Sequence, residues 1–288
     1  MADAIERAAV EAIRRAVIYL PPDVKMALIK AYEREENDVA RAQLKSILDN
    51  IELAEKMARP MCQDTGMITF YVDVGYDFPG ARYVRDSLVN SARVATQSVP
   101  LRPNSVHPFK NVNTGDNTGR YSPQIHWELV PGDSLKFTVV PRGGGSEYPT
   151  ALHMVPPGRG LDVLREVVLE SVLRAGAMPC PPTIVGVGVG GSVETAVFIA
   201  KKAAALRKVG TLNEDPELAV LERELTEAIN ELGIGVMGLG GKTTVLAVHI
   251  DYAHRHPATY PVAVVFQCWA ARRATAIVEP GGDFQILQ

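Results

Sequence analysis

The chain opens on a helical texture. Ile5, Ala8, Ala9, Ala12, Ile13, Ala16, Val17 and Leu20 recur at spacings of three and four, which lines one face of a helix, and Pro21-Pro22 stops the run. Further helices are predicted over about 24–35 and 39–58. After residue 60 the period changes. Residues 68–74 alternate as a strand, and 81–99 return to helical spacing. Two strands are predicted over 125–130 and 135–140, joined around Pro131-Gly132-Asp133 as a hairpin with Trp127 on one face. Helices follow over 161–176, 192–206 and 217–232, with strands over 183–189, 245–250 and 262–266. Strands and helices mingle without strict alternation. The expected fold is therefore mixed α/β: a helical N-terminal segment, 1–60, followed by a mixed sheet with packed helices. No internal repeat or low-complexity linker breaks the chain after residue 60, so one domain spanning 1–288 is expected.

Composition narrows the classes. With 288 residues, 47% of them hydrophobic, the chain can bury a sizeable core and is no disordered segment. Thirty-three acidic against thirty basic residues leave a net charge of −3, so no basic field recruits nucleic acid or an anionic membrane. No apolar run approaches the ~18–20 residues that span a bilayer. The N-terminus carries Asp3, Glu6 and Glu11, acids that transit peptides avoid, and the expectation is a mature cytoplasmic protein. Three cysteines are an odd count, which argues against a disulfide framework and for thiols in a reducing compartment.

Two glycine-rich stretches invite nucleotide readings. Gly186, Gly188 and Gly191 satisfy G-x-G-x-x-G at the end of a predicted strand, but no acidic residue closes a second strand about 20 residues on. The alternative is that these glycines let backbone pack closely or aim amides at an anion. Gly240-Gly241-Lys242-Thr243 imitates the end of a phosphate-binding loop, whose pattern requires glycine where Val236 stands; Gly235 is off by one. That loop is expected to offer backbone amides or the Lys242 ammonium to a smaller anion.

The cysteines carry more. Cys62 and Cys180 each precede a predicted strand and Cys268 ends one, all beside Pro, Gly, Gln or Asp, where loops gather into sites. A purely structural cysteine prefers the middle of an apolar element. Their wide separations exclude a zinc knuckle or a ferredoxin run. Three dispersed thiolates can still hold a [4Fe–4S] cluster and leave one iron without a protein ligand. A lone catalytic Cys62, beside Asp64 with a histidine from elsewhere, is the competing reading.

The local sequences go further. Cys62-Gln63-Asp64-Thr65-Gly66, the run Gly143-Gly144-Gly145-Ser146-Glu147, the stretch from Cys180 through Gly190-Gly191-Ser192 to Glu194, and His256-Pro257-Ala258 leading to Cys268-Trp269 together resemble the iron–sulfur (class I) fumarase and tartrate dehydratase family. The resemblance covers essentially the whole chain and matches the family's N-terminal part, the separate alpha subunit in two-subunit members. It implies that Cys62, Cys180 and Cys268 ligate a [4Fe–4S] cluster whose fourth iron meets substrate as a Lewis acid. The implied reaction is reversible hydration of fumarate to (S)-malate by a hydro-lyase of the tricarboxylic acid cycle.

The same resemblance assigns roles. Asp64 matches the catalytic carboxylate, although on its own Asp-Thr-Gly reads as a turn. Gln63 is implied to hydrogen-bond substrate. Arg102 matches a carboxylate-binding arginine, a guanidinium fork that suits a dicarboxylate; taken singly it reads as a solvated surface residue. Gly145 is implied to donate an amide, and His256 to bind substrate, with His254 as its decoy. Lys242 and Thr243 stand in a second rank. The family's C-terminal part completes its active site, and this chain reaches only Gln288. The expectation is therefore an alpha subunit, inactive without a beta subunit, in a dimer of heterodimers or a homodimer of alpha. An alpha subunit of L(+)-tartrate dehydratase is the in-class alternative; Arg102-Pro103-Asn104 and the Gly240 to Thr243 loop look closer to the fumarase branch. A non-catalytic iron–sulfur carrier or sensor is the alternative from another class.

Overall fold

The structure is a computed structural model that describes residues 1–288. Three helices lead: α1 (Ala2–Ile18), α2 (Pro22–Arg34) and α3 (Asp38–Met57). Then come β1 (Met67–Gly75), α4 (Val84–Ser98), the short strands β2 (Val106–His107) and β3 (Val112–Asn113), β4 (Gln124–Val130) and β5 (Leu135–Arg142). The helical turn α5 (Gly144–Glu147), β6 (Ala151–Met154), α6 (Gly160–Ala175), β7 (Thr183–Gly190), α7 (Val193–Leu206) and α8 (Pro216–Glu231) follow. The chain closes with β8 (Val245–Ala253), β9 (Pro261–Gln267), β10 (Ala274–Val278) and β11 (Phe284–Leu287). The architecture is mixed α/β with a helical N-terminus, as expected. No helix is long and apolar enough to cross a membrane.

The chain divides into two compact units, neither continuous in sequence. One gathers Met1–Pro21, Ile51–Gly144 and Arg272–Gln288; the other gathers Pro22–Asn50 and Gly145–Ala271. The helical opening segment is thus shared out, α1 to the first unit and α2 with most of α3 to the second.

The first unit is built on a five-stranded sheet in the order β11-β10-β5-β1-β4, in which only β1 and β4 run parallel. Its core is the helical stripe read from the sequence. Ala8, Ala9, Ala12, Ile13 and Ala16 of α1 are fully buried with Leu88 and Ala92 of α4 against Phe70, Val72, Phe137 and Val139 of the sheet. Alanines at the helix crossing let α1 approach closely, and Phe70 meets Phe137 edge-on at 5.8 Å between centroids. The expected hairpin of β4 and β5 does not form. Both strands pair with β1, one on each side, and the connection arches over the end of β1, where Gly75 donates to the Ser134 carbonyl and Asp77 to that of Gly132. A side chain at Gly75 would stand 2.4 Å from the Gly132 oxygen, so the arch closes only over glycine. The turn signal at Pro131-Gly132-Asp133 is real, but it spans two strand spacings rather than one.

The second unit has a four-stranded sheet in the order β6-β9-β7-β8, with β7 and β8 parallel and the other pairs antiparallel. Both faces are covered, which is why its strands read as continuous apolar runs. Val185 and Val187 face α6 and α8 in one core, together with Val262, Val264 and Phe266. On the other face Ala263 and Val265 meet Ala196 and Ala200 of α7. Gly186 and Gly188 lie on that second face. A Cβ on them would stand 2.1 Å from the Ala200 carbonyl oxygen and 2.0 Å from that of Ala196. The glycine-rich strand is therefore a packing device that lets α7 lie backbone to backbone on β7.

Candidate active site

Topology gathers the first group of predicted residues at one end of the first unit's sheet. Met67 at the start of β1 is opposite Arg142 at the end of β5, and Ala274 at the start of β10 is opposite Val139. The loop before β1, the residues after β5 and those before β10 therefore converge. Asp64 sits at the centre, half-buried. Its Oδ1 accepts from the Gly66 amide at 3.0 Å and from Asn104 Nδ2 at 3.1 Å, and its Oδ2 accepts from the Gly144 amide at 2.8 Å. Arg272 Nη1 donates to its main-chain carbonyl at 2.9 Å. Two glycines make room. A Cβ at Gly143 would stand 3.0 Å from Asp64 Oδ2, and Gly66 has φ +87° with backbone of β5 against it. The Asp-Thr-Gly turn is present, since Asp64 bonds the amide two residues on, but two other segments also hold the same carboxylate.

Arg102 comes from the loop after α4. The buried Thr65 fixes it reciprocally: the Arg102 amide donates to Thr65 Oγ1 at 3.0 Å, and that hydroxyl donates to the Arg102 carbonyl at 3.3 Å. The buried Asn117 supports the same loop, donating to the Arg102 carbonyl and accepting from the Asn104 amide. With its backbone tied down, the Arg102 side chain remains exposed and makes no ion pair within the chain. Gln63 is exposed as well. Cys62 is half-buried and follows Met61, whose amide donates to the Val17 carbonyl of α1 at 3.0 Å.

In the second unit the other two cysteines meet through strand pairing. Cys180 precedes β7 and Cys268 follows β9; these strands are antiparallel neighbours with Ile184 opposite Gln267, so the two cysteine segments share one end of the sheet. A hydrogen bond joins them directly, from the Trp269 amide to the Cys180 carbonyl at 3.2 Å. Cys180 has φ +52°, a left-handed conformation unusual for a residue with a side chain. Its own amide donates to Ala177, and Met237 donates to the carbonyl of the next residue, Pro181. Gly145, exposed in α5, belongs to this group: a Cβ there would stand 2.9 Å from the Met178 carbonyl.

His256 is not brought to these cysteines. It lies in the β8–β9 connection, beyond Gly190 and Ala253, whereas Cys180 and Cys268 lie beyond Thr183 and Gln267. One strand length, about 20 Å, separates the two ends. The exposed His256 ring accepts the Ala258 amide at Nδ1, which leaves Nε2 to carry the proton of the neutral ring. The neighbouring Arg255 guanidinium donates to the carbonyls of His256, Pro257 and Thr259 and lies over the Tyr260 ring. The Gly240 to Thr243 loop also departs from expectation. The anion its amide meets belongs to the chain itself: Lys242 N donates to the Glu35 carboxylate at 2.8 Å, and Lys242 Nζ pairs with Glu36 at 2.6 Å. Thr243 is fully buried.

The family described as fumarate hydratase (Fumerase) matches residues 6–277. The chain belongs to the fumarate hydratase family. Among curated proteins it is similar to a putative L(+)-tartrate dehydratase subunit alpha of Methanocaldococcus jannaschii, 43% identical over 269 residues that cover 92% of this chain and 94% of the relative. It is also similar to the L(+)-tartrate dehydratase subunit alpha of Escherichia coli O157:H7, at 39% identity, and of strain K12, at 38%, each covering 93% of this chain and 88% of the relative. In this member of the fumarate hydratase family no group of three or more His, Cys, Asp or Glu side chains is gathered as ligands of a single metal ion. Thiolates at separate corners of an iron–sulfur cluster stand farther apart than ligands sharing one ion, so the relevant observation is the donor set. That set is three half-buried thiols at element ends, one of them held by a left-handed backbone, and soft thiolates are the donors such a cluster requires. The sequence did not single out Asn104, Asn117 or Arg272. Asn104 follows Arg102-Pro103, and a proline there marks a loop. Arg272 carries no local signal among the thirty basic residues.

Proposed function

We propose that this fumarate hydratase family member is the alpha subunit of an iron–sulfur hydro-lyase that interconverts fumarate and (S)-malate. The observation that carries the reading is the Asp64 constellation: a carboxylate held by three N–H donors, two residues past Cys62, with an unpaired guanidinium at Arg102 on the loop that also supplies Asn104. In this reading Cys62, Cys180 and Cys268 hold a [4Fe–4S] cluster. When bound, the cluster supplies Lewis acidity toward the hydroxyl that is gained or lost.

The chain's own residues do the rest. Hydration adds a hydroxyl to one olefinic carbon and a proton to the other, with no net oxidation. Arg102 receives one substrate carboxylate through paired N–H donors, and a positively charged partner there also stabilises the charge that accumulates beside a carboxylate during proton transfer. Gln63 and the Gly145 amide add neutral contacts. Asp64, held by donors on both oxygens, moves the proton of the water hydroxyl. His256, one strand length from Cys180 and Cys268, is given no contact with those two thiols in this reading. A beta subunit completes the site, and the alpha chain alone does not turn over.

A second reading, the alpha subunit of L(+)-tartrate dehydratase, is favoured by the names of the curated relatives. The deciding experiment is anaerobic reconstitution of the chain with its beta-type partner, followed by steady-state assays on fumarate, malate and L(+)-tartrate. The expected result is a higher kcat/KM for fumarate than for tartrate and no turnover by the alpha chain alone. A higher kcat/KM for tartrate establishes the second reading. Turnover by the alpha chain alone, or none on any of the three by the complex, overturns the proposal.

A further inference from the structure

Arg272 is the largest of the fully buried side chains, yet no Asp or Glu of the chain forms an ion pair with it. Its Nε is buried without any hydrogen-bond partner, and its one bond to the chain is from Nη1 to the Asp64 carbonyl. A buried cation without a counter-charge is expensive, and folds keep one where the charge serves something other than packing. Nη2 and the Asp64 carboxylate both lie beside Gly143: a Cβ there would be 3.0 Å from Asp64 Oδ2 and 3.9 Å from Arg272 Nη2. The Asp64 residue is therefore held at both ends, its carboxylate by Gly66, Asn104 and Gly144 and its main chain by a charged donor.

We propose that Arg272 is a positioning residue for Asp64: by fixing the Asp64 carbonyl with a charge-assisted hydrogen bond, it sets where the carboxylate points. Arg272 acts through Asp64 and touches no substrate. The inference rests on the role given to Asp64 above. A bond to a neutral carbonyl from an ammonium or an amide is a poorer clamp than one from a planar guanidinium, whose direction is fixed by its own geometry. Loss of that clamp lets the 62–66 loop turn and the Gly66 and Gly144 amides part from the carboxylate. A misplacement of about 1 Å at a reacting group lowers rate by on the order of 10²-fold.

The test is a double-mutant cycle in the reconstituted complex, read together with amide hydrogen exchange. Arg272→Lys is expected to lower kcat by on the order of 10²-fold with KM little changed. In an Asp64→Asn background the same substitution is expected to lower kcat by less than about twofold further, because the two residues act as one unit. Exchange of the Gly66 and Gly144 amides is expected to accelerate in Arg272→Lys, while peptides of α6 and α8 keep wild-type rates. Arg272→Gln, which keeps a neutral donor, replaces the lysine variant if that one does not fold. Effects of the two substitutions that multiply, or wild-type exchange at Gly66 and Gly144 in a folded variant, overturn the inference. A wild-type complex that turns over none of fumarate, malate or tartrate defeats the proposed function instead, and the exchange experiment then still decides whether Arg272 holds Asp64.

Discussion

Gly188 offers the sharpest test of how the second unit is packed. Replacing it with alanine places a Cβ 2.0 Å from the Ala196 carbonyl oxygen, 2.8 Å from the Ala200 nitrogen and 2.9 Å from Ile199 Cγ1. Ordinary contact begins at 3.4 Å, so α7 must withdraw from β7 by roughly 1.4 Å, and the two nearest opposing atoms are backbone that cannot rotate away. Overpacking of this kind costs about 3 kcal/mol or more. The loss of unfolded-state freedom on exchanging glycine for alanine returns only ~0.4–1 kcal/mol. The net expectation is destabilisation by about 2–3 kcal/mol for Gly188→Ala, and for Gly186→Ala by the same reasoning. Gly158→Ala and Gly281→Ala are the controls: nothing lies within 4 Å of the new methyl at either position, so each should be neutral or stabilising by up to ~1 kcal/mol. Urea denaturation followed by circular dichroism reads the effect as a lowered midpoint with an unchanged slope. A Gly188→Ala chain as stable as wild type would refute the packing argument and return these glycines to a ligand-binding explanation.

Other consequences can be checked as directly. Glu222 is buried against Arg207 and also accepts from the Ile250 amide and Asn213; Arg207→Met strands that carboxylate and should cost about 3 kcal/mol in the same denaturation assay. Hydrogen bonds from Arg14, opposed by partial burial and aided by Arg15, hold the Glu11 carboxyl below its ordinary value of 4.5. Its folded-state pKa is therefore the lower one, so its stabilisation is present above about pH 4.5 and fades as pH falls through the folded value. Glu11→Gln should cost ~0.5 kcal/mol or less at pH 7, since solvent reaches and screens the pair, and the gap to wild type should close on acidification.

The long helices and the central strands were legible because their apolar spacing follows the faces they bury. α1 shows this best, with its alanine stripe lying wholly in the core. Where one signal serves two geometries the sequence is silent. Pro131-Gly132-Asp133 marks a reversal, but whether it joins adjacent strands or straddles one depends on β1, half a hundred residues away. β6, β10 and β11, of four or five residues, are too short to show a period, and they exist because β9, β5 and β10 in turn have edges to cover. The site divides the same way. Cys62, Asp64 and Arg102 sit in recognisable local motifs, whereas only folding brings the buried Arg272 to the Asp64 carbonyl. His256 shows the reverse: it stands close to Cys268 in sequence, yet β9 runs the length of the sheet between them.

The interleaving of the two units also sets an order in time. β5 pairs with β1 on one side and with β10 on the other, and the whole stretch from Gly145 to Ala271 is synthesised between those two partners. At about 5–20 residues per second, a growing chain leaves that flank of β5 bare for roughly 6–25 seconds after β1 and β4 are in place. Over that interval an apolar strand with unsatisfied amides and carbonyls faces the cell, the situation in which sheets recruit the wrong neighbour. The first sheet begun is the last one finished.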